Sequence, residues 1–328
     1  MRTLIVSGYG VKIAVEKGVL KVVNGKEKIS VNLVDLEQIV IVTSGVSVTS
    51  KAVRSIIYHG VDLVFLNHRG EPIGRVYPPY INRTVNTRRM QYLAYLNGKG
   101  AKIAKIIAEC KLRNQAGLLR RYGRGLGDRE FKVMAKEILN YVSEIKELNG
   151  SIDRIRGGIV GVEAKAARIY WPMVAKLIPE NLGFQGRDQD GYDPFNIALN
   201  YGYGILYSEA WKALVLAGLD PYAGFIHADR SGKPTLAFDF VEMFRCSVVD
   251  HVLIKMVRRG WKPRVENGIL EYKSRAEIAK NIIENFERKV RVQGEPLTLR
   301  QAMKRTAFNL ASFIRGDSSV FKGFIEDW

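Results

Sequence analysis

The sequence has only two cysteines, Cys110 and Cys246, and no Cys-x-x-Cys pair. A disulfide scaffold and a zinc knuckle are therefore excluded, and we expect the protein to work in a reducing cytoplasm. No apolar run approaches the ~20 residues that a membrane-spanning helix needs. The apolar run at the N-terminus is too short for a signal peptide, so we expect no membrane association.

Acidic residues are scarce relative to basic ones. Lys and Arg total 51 against 33 Asp and Glu, which gives a formal net charge of +18. This excess indicates a polyanionic partner such as nucleic acid or an anionic membrane surface. Hydrophobic residues make up 47% of the 328 residues and charged residues 26%, which is typical of a globular chain long enough for two domains.

The first part of the chain is rich in β-branched residues. Runs separated by glycines or polar turns predict strands at residues 4–7, 11–15, 19–23, 29–33 and 38–42. Asn24-Gly25 between two of these runs predicts a hairpin with a type I′ turn. A helix follows, and strand character resumes at 61–66 and 73–77. We therefore predict a small β-rich N-terminal domain over residues 1–80.

Pro78-Pro79-Tyr80 marks a boundary, because consecutive prolines remove backbone donors and restrict the residues before them. A helical pattern replaces the strand pattern after it. We predict a linker over residues 81–92 and a larger all-α catalytic domain over 93–328, which makes the fold class α+β. His251 falls among valines and a leucine, and its pattern predicts a packed or half-exposed core histidine.

Basic residues collect on the outer face of the predicted helices. Residues 99–136, among them Lys99, Lys105 and Lys111, contain eleven Lys or Arg and three acidic residues, a net charge of +8. This one-sided excess favours phosphate contact over a merely solvated face. The stretch 123–127 lacks the spacing of a phosphate-binding loop and predicts a turn between helices. The candidate DNA contacts are Arg83, Arg88, Arg120, Arg121, Arg168, Arg245, Arg258 and Arg259.

One stretch, residues 224–245, combines an imidazole with two carboxylates. His227 lies on a predicted loop, and the helix that follows carries Asp239 and Glu242 on one face, three positions apart. This donor set suits a divalent cation such as Mn²⁺ or Mg²⁺. The alternative is structural, because an acidic residue such as Asp239 near a helix start also favours the helix dipole.

A third carboxylate comes from a separate helix, predicted over residues 153–177. Glu163 has Ile159 four positions before it and Ala166, Ala167 and Tyr170 after it, so it lies on an apolar face. Buried carboxylates are rare without a partner. Either a metal ion or a salt bridge inside the helical domain, such as one to a buried arginine, would satisfy it.

Taken together, these segments resemble the CRISPR-associated adaptation integrase family, metal-dependent DNA endonucleases that insert spacers into CRISPR arrays, in an archaeal-like or thermophile-like form. The resemblance spans nearly the whole chain. It is carried by the domain order, by the Glu-x-x-Ala-Ala-x-x-Tyr-like helix at 163–170, by Asp-Pro-x-Asn at 193–196, by His-x-Asp-Arg-x-Gly-Lys-Pro at 227–234, and by Asp-x-x-Glu at 239–242.

The resemblance implies that Glu163, His227 and Glu242 bind Mg²⁺ or Mn²⁺ and form the catalytic site, with Asp239 as an additional ligand or a supporting group. This sequence has Ala164 where the family often has glycine, and Glu242 where many members have aspartate. The longer carboxylate leaves open whether Asp239 or Glu242 binds the metal directly.

The resemblance also implies the partners: prespacer and repeat DNA, a second copy of the chain joined through the N-terminal domain, and a small ferredoxin-like adaptation subunit. The expected reaction is attack of a DNA 3′-hydroxyl on the repeat, with double-stranded and branched DNA as substrates. Two alternatives remain, a repair nuclease for branched DNA and a basic DNA-binding scaffold whose acidic cluster only stabilises the fold.

Overall fold

The structure is a computed structural model that describes residues 2–76 and 84–328. Within these ranges a β-rich part precedes a mainly helical part, which confirms the α+β fold class. The first part consists of β1 (Arg2–Val6), β2 (Val11–Glu16), β3 (Val19–Asn24), β4 (Glu27–Asn32), a 3-10 turn (Leu33–Asp35), β5 (Leu36–Ile41), β6 (Val46–Val48), α1 (Ser50–Tyr58), β7 (Asp62–Leu66) and β8 (Pro72–Val76).

The second part consists mainly of helices. They are α2 (Thr84–Leu96), α3 (Lys99–Leu126), α4 (Arg129–Glu147), α5 (Ile152–Ala175), α6 (Pro194–Leu216), α7 (Thr235–Glu242), α8 (His251–Arg258), α9 (Tyr272–Phe286) and α10 (Leu299–Arg315). A 3-10 turn, Glu180–Leu182, lies between α5 and α6, and a π-helical segment, Cys246–Asp250, leads into α8. Within the described residues, no helix combines the length and the apolarity needed to cross a bilayer.

Two short hairpins interrupt the helical part, so the description of residues 93–328 as all-α was incomplete. They pair β9 (Val265–Glu266) with β10 (Ile269–Leu270), and β11 (Lys289–Val292) with β12 (Glu295–Thr298). Their two-residue turns, Asn267-Gly268 and Gln293-Gly294, have positive φ at both positions. This backbone conformation is the one that a type I′ hairpin turn requires.

The hairpin predicted at Asn24-Gly25 is present between β3 and β4, but its turn type was predicted wrongly. Asn24 pairs with Glu27, so the turn residues are Gly25 and Lys26. Of these two residues only Gly25 has a positive φ, whereas a type I′ turn needs positive φ at both. The turn at Lys17-Gly18, between β2 and β3, has positive φ at both residues.

Two segments predicted as a linker and a turn are partly helical. The linker predicted over 81–92 is helical from residue 84 onward, where α2 begins; Pro78, Pro79, Tyr80 and Arg83 lie outside the described residues. Helix α2 is held because Gln91 donates to the carbonyls of Asp220 and Ala223 and accepts from the Asp220 amide. The turn predicted over 123–127 begins only after Leu126, because α3 continues to that residue. The boundary between domains stays a prediction.

The strands of the first part form two four-stranded sheets, in the orders β4-β3-β2-β6 and β1-β5-β7-β8. The second sheet serves two cores, since alternate residues of a strand face opposite sides. Ile39 and Ile41 of β5 pack in the core of the β-rich part. Val40 of β5 and Val64 of β7 pack in the core of the helical part. The sheet therefore fixes the helical part against the β-rich part.

A buried polar network also crosses this contact. Gln38 on β5 donates to Asp62 on β7 at 2.8 Å and to Glu209 on α6. Arg300 on α10 pairs with the same glutamate at 2.5 Å. Burial raises the pKa of Glu209, but the charges of Arg300 and Lys212 outweigh burial and hold that pKa below its usual range. The glutamate is thus an ionised link among β5, α6 and α10.

His251 is the buried core histidine that the sequence predicted. Its side chain lies among core residues, with Nδ1 3.1 Å from the Tyr122 hydroxyl and the ring edge against Trp328. Burial lowers the pKa of His251 to about 3, and Arg288 and Arg121 lower it further. The histidine is therefore neutral at physiological pH.

The turn between β7 and β8 lies directly on the backbone of α6. A Cβ built on Gly204 would lie 2.3 Å from the Gly70 carbonyl oxygen, and one on Gly70 would lie 2.4 Å from the Tyr201 carbonyl oxygen. Real Cβ atoms do not approach backbone atoms so closely. Glycine at both positions is therefore a condition of the contact between the two parts.

We predict opposite effects for alanine at two helical glycines. Gly204→Ala should destabilise the fold by about 1–3 kcal/mol because the new methyl group meets backbone. Gly157→Ala on α5, where a Cβ meets nothing within 4 Å, should stabilise it by up to about 1 kcal/mol. Denaturant unfolding followed by circular dichroism measures both, and a Gly204→Ala variant as stable as wild type would contradict the close contact.

Candidate metal centre

Glu163 occupies the inner side of α5. Ile159, Ala166 and Tyr170 of the same helix are fully buried, and the side chain of Glu163 is only 14% exposed. The prediction that this carboxylate lies on an apolar face is confirmed. An ionised group in this position needs a compensating charge or donor.

The other two carboxylates lie on α7. Asp239 is completely buried and Glu242 is 4% exposed. The loop before this helix is pressed against its first turn, because the Gly224 amide donates to Thr235 Oγ1 at 3.0 Å and a Cβ on Gly224 would lie 2.6 Å from the Thr235 carbonyl carbon. The helix and its preceding loop therefore form one packed unit.

Asp239 holds this loop in place with both of its oxygens. Oδ2 accepts from the amides of Phe225 and Ile226 at 2.6 and 2.9 Å. Oδ1 accepts from the His227 amide at 3.0 Å and lies 2.7 Å from His227 Nδ1. Four donors thus saturate one buried carboxylate, which suits Asp239 to orienting His227.

The ring of His227 is oriented by Asp239. Because a carboxylate only accepts hydrogen bonds, Nδ1 of the neutral ring carries the proton and Nε2 keeps its lone pair. The side chain is 44% exposed, and its edge packs on the Phe238 ring. Burial lowers the pKa of His227, but its hydrogen bond to Asp239 and the negative charges of Asp239 and Glu242 outweigh burial and raise it. Nε2 is the nitrogen left to bind a ligand.

Lys111 on α3 connects Glu163 with Glu242. Its Nζ lies 3.2 Å from Glu163 Oε1 and 2.8 Å from Glu242 Oε2, and its side chain is 18% exposed. Burial opposes its charge, but the two carboxylates outweigh burial and raise the pKa of Lys111. Of the alternatives left open for Glu163, the structure contains the salt bridge, with lysine in place of arginine.

Arg245 neutralises Glu242 from the other side. Its Nη2 lies 3.0 Å from Glu242 Oε1, and its guanidinium packs over the Tyr203 ring, 4.7 Å from the ring centroid. Burial raises the pKa of Glu242, but Arg245 and Lys111 outweigh burial and lower it to about 2. Glu163 lacks the arginine, so burial prevails over Lys111 and raises its pKa. Glu242 is the more firmly ionised of the pair.

The donor types fit the cation that the resemblance implies. Two carboxylates and an imidazole with a free Nε2 are ligands for Mg²⁺ or Mn²⁺. Glu163 Oε1 and Glu242 Oε2 are buried, and within the described residues the group that contacts both is the Lys111 ammonium group. In their present positions, however, no three His, Cys, Asp or Glu side chains in residues 2–76 and 84–328 are close enough together to coordinate a metal ion.

The sequence matches the family model described as CRISPR associated protein Cas1 over residues 4–288. The chain belongs to the Cas1 family. It is 36% identical over 326 residues to the CRISPR-associated endonuclease Cas1 2 of Saccharolobus solfataricus, a match that covers 99% of this chain and 98% of the relative. The predicted family is thereby confirmed.

Solved structures support the fold of this Cas1 family member. A casposase bound to its integration product superposes with a TM-score of 0.83 at 24% identity, covering 98% of this chain and 93% of the casposase. A Cas6-RT-Cas1–Cas2 complex gives 0.79 at 20% identity, covering all of this chain and 36% of the longer chain. At these identities the likeness concerns the fold alone.

The predicted site residues thus lie in one region, although from three parts of the chain. Lys111 joins Glu163 to Glu242, and Asp239 and Glu242 share α7, where Asp239 holds His227. Asn114, one turn after Lys111, donates to the Met243 carbonyl at 2.8 Å and so ties α3 to the end of α7. Metal binding by these residues stays a prediction.

Tyrosines on two helices donate hydrogen bonds to a further buried carboxylate, Asp250. Asp250, in the π-helical segment, accepts from Tyr170 of α5 at 2.7 Å and from Tyr203 of α6 at 2.6 Å. Burial raises the pKa of Asp250, although the two hydroxyl groups oppose the rise. Because Tyr203 also contacts Arg245, this cluster connects α5 and α6 to the counter-charge of Glu242.

The candidate DNA contacts differ in their surroundings. Arg83 lies outside the described residues, Arg88 is half-buried, and Arg245 is paired with Glu242. The exposed candidates are Arg120, Arg121, Arg168, Arg258 and Arg259. DNA contact by any of these residues stays a prediction.

Three lysines assigned to the outer face have internal partners. Lys99 donates to the Phe313 and Ile314 carbonyls at the end of α10, and Lys105 to the Lys146 and Leu148 carbonyls at the end of α4. Cations complement the negative end of a helix dipole in this way. These two lysines cap helices, and Lys111 pairs with the buried carboxylates.

Lys111 is the site residue that sequence reasoning missed. Ile107 lies one turn before it and Leu118 two turns after it, and both are completely buried. A lysine in the apolar stripe of one helix and a glutamate in the stripe of another are complementary. That pattern was the available signal, but it does not identify which two helices meet.

We predict that Asp239→Asn lowers the pKa of His227, because it removes the negative charge that helps to raise this pKa against burial. NMR titration of the histidine ring protons measures the change, and with only four histidines in the chain the His227→Asn spectrum assigns the signal.

The matched control is Asp193→Asn. Asp193 caps the start of α6, a role that asparagine performs equally well. The control should leave the pKa of His227 unchanged. An unchanged His227 pKa in a folded Asp239→Asn variant would contradict the orienting role of Asp239.

Proposed function

We propose that this Cas1 family member is a divalent-metal-dependent DNA endonuclease and strand-transfer integrase. In this proposal a DNA 3′-hydroxyl attacks a phosphodiester of a CRISPR repeat, and the substrates include double-stranded and branched DNA. The observation that carries it is the assembly of Glu163, Glu242 and an oriented His227 in one partly open region. Family membership supports it, because the Saccharolobus relative is named an endonuclease.

Each proposed ligand has a definite atom available. Glu163 offers Oε1, Glu242 offers Oε2, and His227 offers Nε2 because Asp239 occupies Nδ1. Asp239 is the supporting group, since four donors already use its oxygens. Mg²⁺ or Mn²⁺ bound by this set would polarise a phosphate and stabilise the charge that develops on it.

The remaining residues of the site position the proposed ligands or neutralise their charge. Asp239 fixes the rotation of the imidazole, and Asn114 fixes the end of α7. Arg245 keeps Glu242 ionised, and its own position is fixed by the Tyr203 and Tyr207 rings. Carboxylates held in the ionised form are the ligands that hard divalent cations require.

The proposed partners are DNA, a second copy of the chain through residues 1–80, and a small ferredoxin-like adaptation subunit. The net charge of +18 supports DNA. Large apolar side chains exposed on the β-rich part, such as Tyr58 and Val34, support a protein contact there. A structural neighbour is described as part of a Cas1–Cas2 complex, which supports a second subunit.

We predict that strand transfer requires the proposed ligands. Labelled duplex with 3′-hydroxyl ends should join a supercoiled plasmid carrying a CRISPR repeat when Mn²⁺ or Mg²⁺ and the wild-type protein are present. Glu163→Gln and His227→Asn should each reduce joining at least about 100-fold, since altering even the groups that support metal ligands costs 10–100-fold.

Matched controls make the same chemical changes elsewhere. Glu137→Gln alters an exposed glutamate on α4, and His59→Asn alters an exposed histidine after α1. Both should retain joining. Nicking without joining, even with the partner subunit added, would favour a repair nuclease. Metal-dependent activity retained in folded Glu163→Gln would overturn the proposed site, whereas DNA binding by wild type with neither nicking nor joining would favour the scaffold alternative.

A further prediction concerns DNA binding. Affinity should fall steeply with salt, because phosphate contacts release counterions. Replacing exposed Arg168 by glutamine should reduce the slope of log affinity against log salt by about 1. Arg305→Gln, which removes an exposed arginine paired with Glu295, should leave the slope unchanged. A flat salt dependence in a filter-binding titration would contradict DNA binding through phosphates.

A further inference from the structure

The oxygens available to a metal ion are the same oxygens that Lys111 contacts. Its Nζ lies 3.2 Å from Glu163 Oε1 and 2.8 Å from Glu242 Oε2. Within the described residues no amide, hydroxyl or guanidinium group donates to either oxygen. The ammonium group therefore lies between the two carboxylates as a monovalent cation would.

The charges of Glu163 and Glu242 are balanced in this arrangement. Glu163 and Glu242 contribute two negative charges when ionised, and Lys111 and Arg245 contribute two positive charges. A divalent cation bound to the same two carboxylates would lie within a few ångströms of the ammonium group. Like charges at that distance in a partly buried site repel strongly, so both cations do not fit.

Lysine is the counter-ion able to leave. Its flexible four-carbon chain carries a strongly hydrated point charge, and 18% of the Lys111 side chain is already exposed. Arg245 is held in place, because its guanidinium donates to the Tyr207 hydroxyl and packs over the Tyr203 and Tyr207 rings. Its partner oxygen is Glu242 Oε1, so it leaves Oε2 free.

We propose that Lys111 is a built-in counter-ion of the metal-free site, and that a divalent cation must displace it from Glu163 and Glu242 to bind. The inference rests on the proposed metal-dependent function and adds a competition to it. In the metal-free protein Lys111 keeps two buried carboxylates from repelling each other. On metal binding it releases them and its side chain turns toward solvent.

The first test measures displacement in the unaltered protein. An amine-reactive ester, with labelling quantified by peptide mass spectrometry, reports how accessible each lysine is. Lys111 should be protected without metal, and saturating Mn²⁺ should increase its labelling several-fold. Lys105, tied to carbonyls at the end of α4 on the same helix, is the internal control and should not change.

The second test removes the competing charge. Lys111→Met keeps the length of the side chain without its charge, so Mn²⁺ affinity by calorimetry should rise about tenfold, within the usual range for coupled sites. The metal-free variant should melt at a lower temperature than wild type, and Mn²⁺ should raise its melting temperature by more than it raises that of wild type. Lys105→Met should leave Mn²⁺ affinity unchanged.

The outcomes separate this inference from the proposed function. Mn²⁺ binding with unchanged affinity in Lys111→Met, or with Lys111 still protected from labelling in wild type, would overturn the inference and leave the metal site standing. Absence of Mn²⁺ binding to wild type and to a folded Lys111→Met variant would overturn the metal-dependent function itself, and the inference with it.

Discussion

Buried carboxylates are the constraint on which the helical part of this protein depends. A carboxylate taken out of water must find compensating donors or charge, and the interior contains Glu209, Asp239, Glu242, Asp250 and Glu326. Arginines compensate three of them, since Arg300 pairs with Glu209, Arg288 with Glu326 and Arg245 with Glu242. Lys111 also contacts Glu242, backbone amides compensate Asp239, and tyrosine hydroxyls compensate Asp250. These contacts connect the helices with one another.

The partners that stabilise each buried carboxylate match the role that we assign to it, either support or ligand binding. Asp239 and Asp250 are fixed by short hydrogen bonds from rigid groups, and both act as supports. Glu163 and Glu242 instead share the ammonium group of one lysine, which lies 3.2 Å from Glu163 Oε1 and 2.8 Å from Glu242 Oε2. Groups that are to bind a ligand need a partner that can be exchanged. The site therefore combines a rigid frame with one replaceable cation.

The frame extends beyond the site to the β-rich part. The sheet containing β5 and β7 contributes side chains to both cores, and Glu209 links it to α6 and α10. Helix α6 also carries Tyr203, which contacts both Asp250 and Arg245. The contact between the two parts and the candidate metal centre thus share one helix.

The sequence by itself determined much of what depends on neighbours along the chain: most strands and helices, the burial of Glu163 on its helix face, and the placing of Asp239 and Glu242 on one face of α7. Even there, the turn at Asn24-Gly25 was predicted with the wrong type. Only the tertiary structure decided that Asp239 accepts three loop amides and that Lys111 pairs with carboxylates from α5 and α7. Periodicity shows which face of a helix is buried, but it carries no information about which other helix meets that face. The partner of a buried charge is therefore settled only when the helices pack.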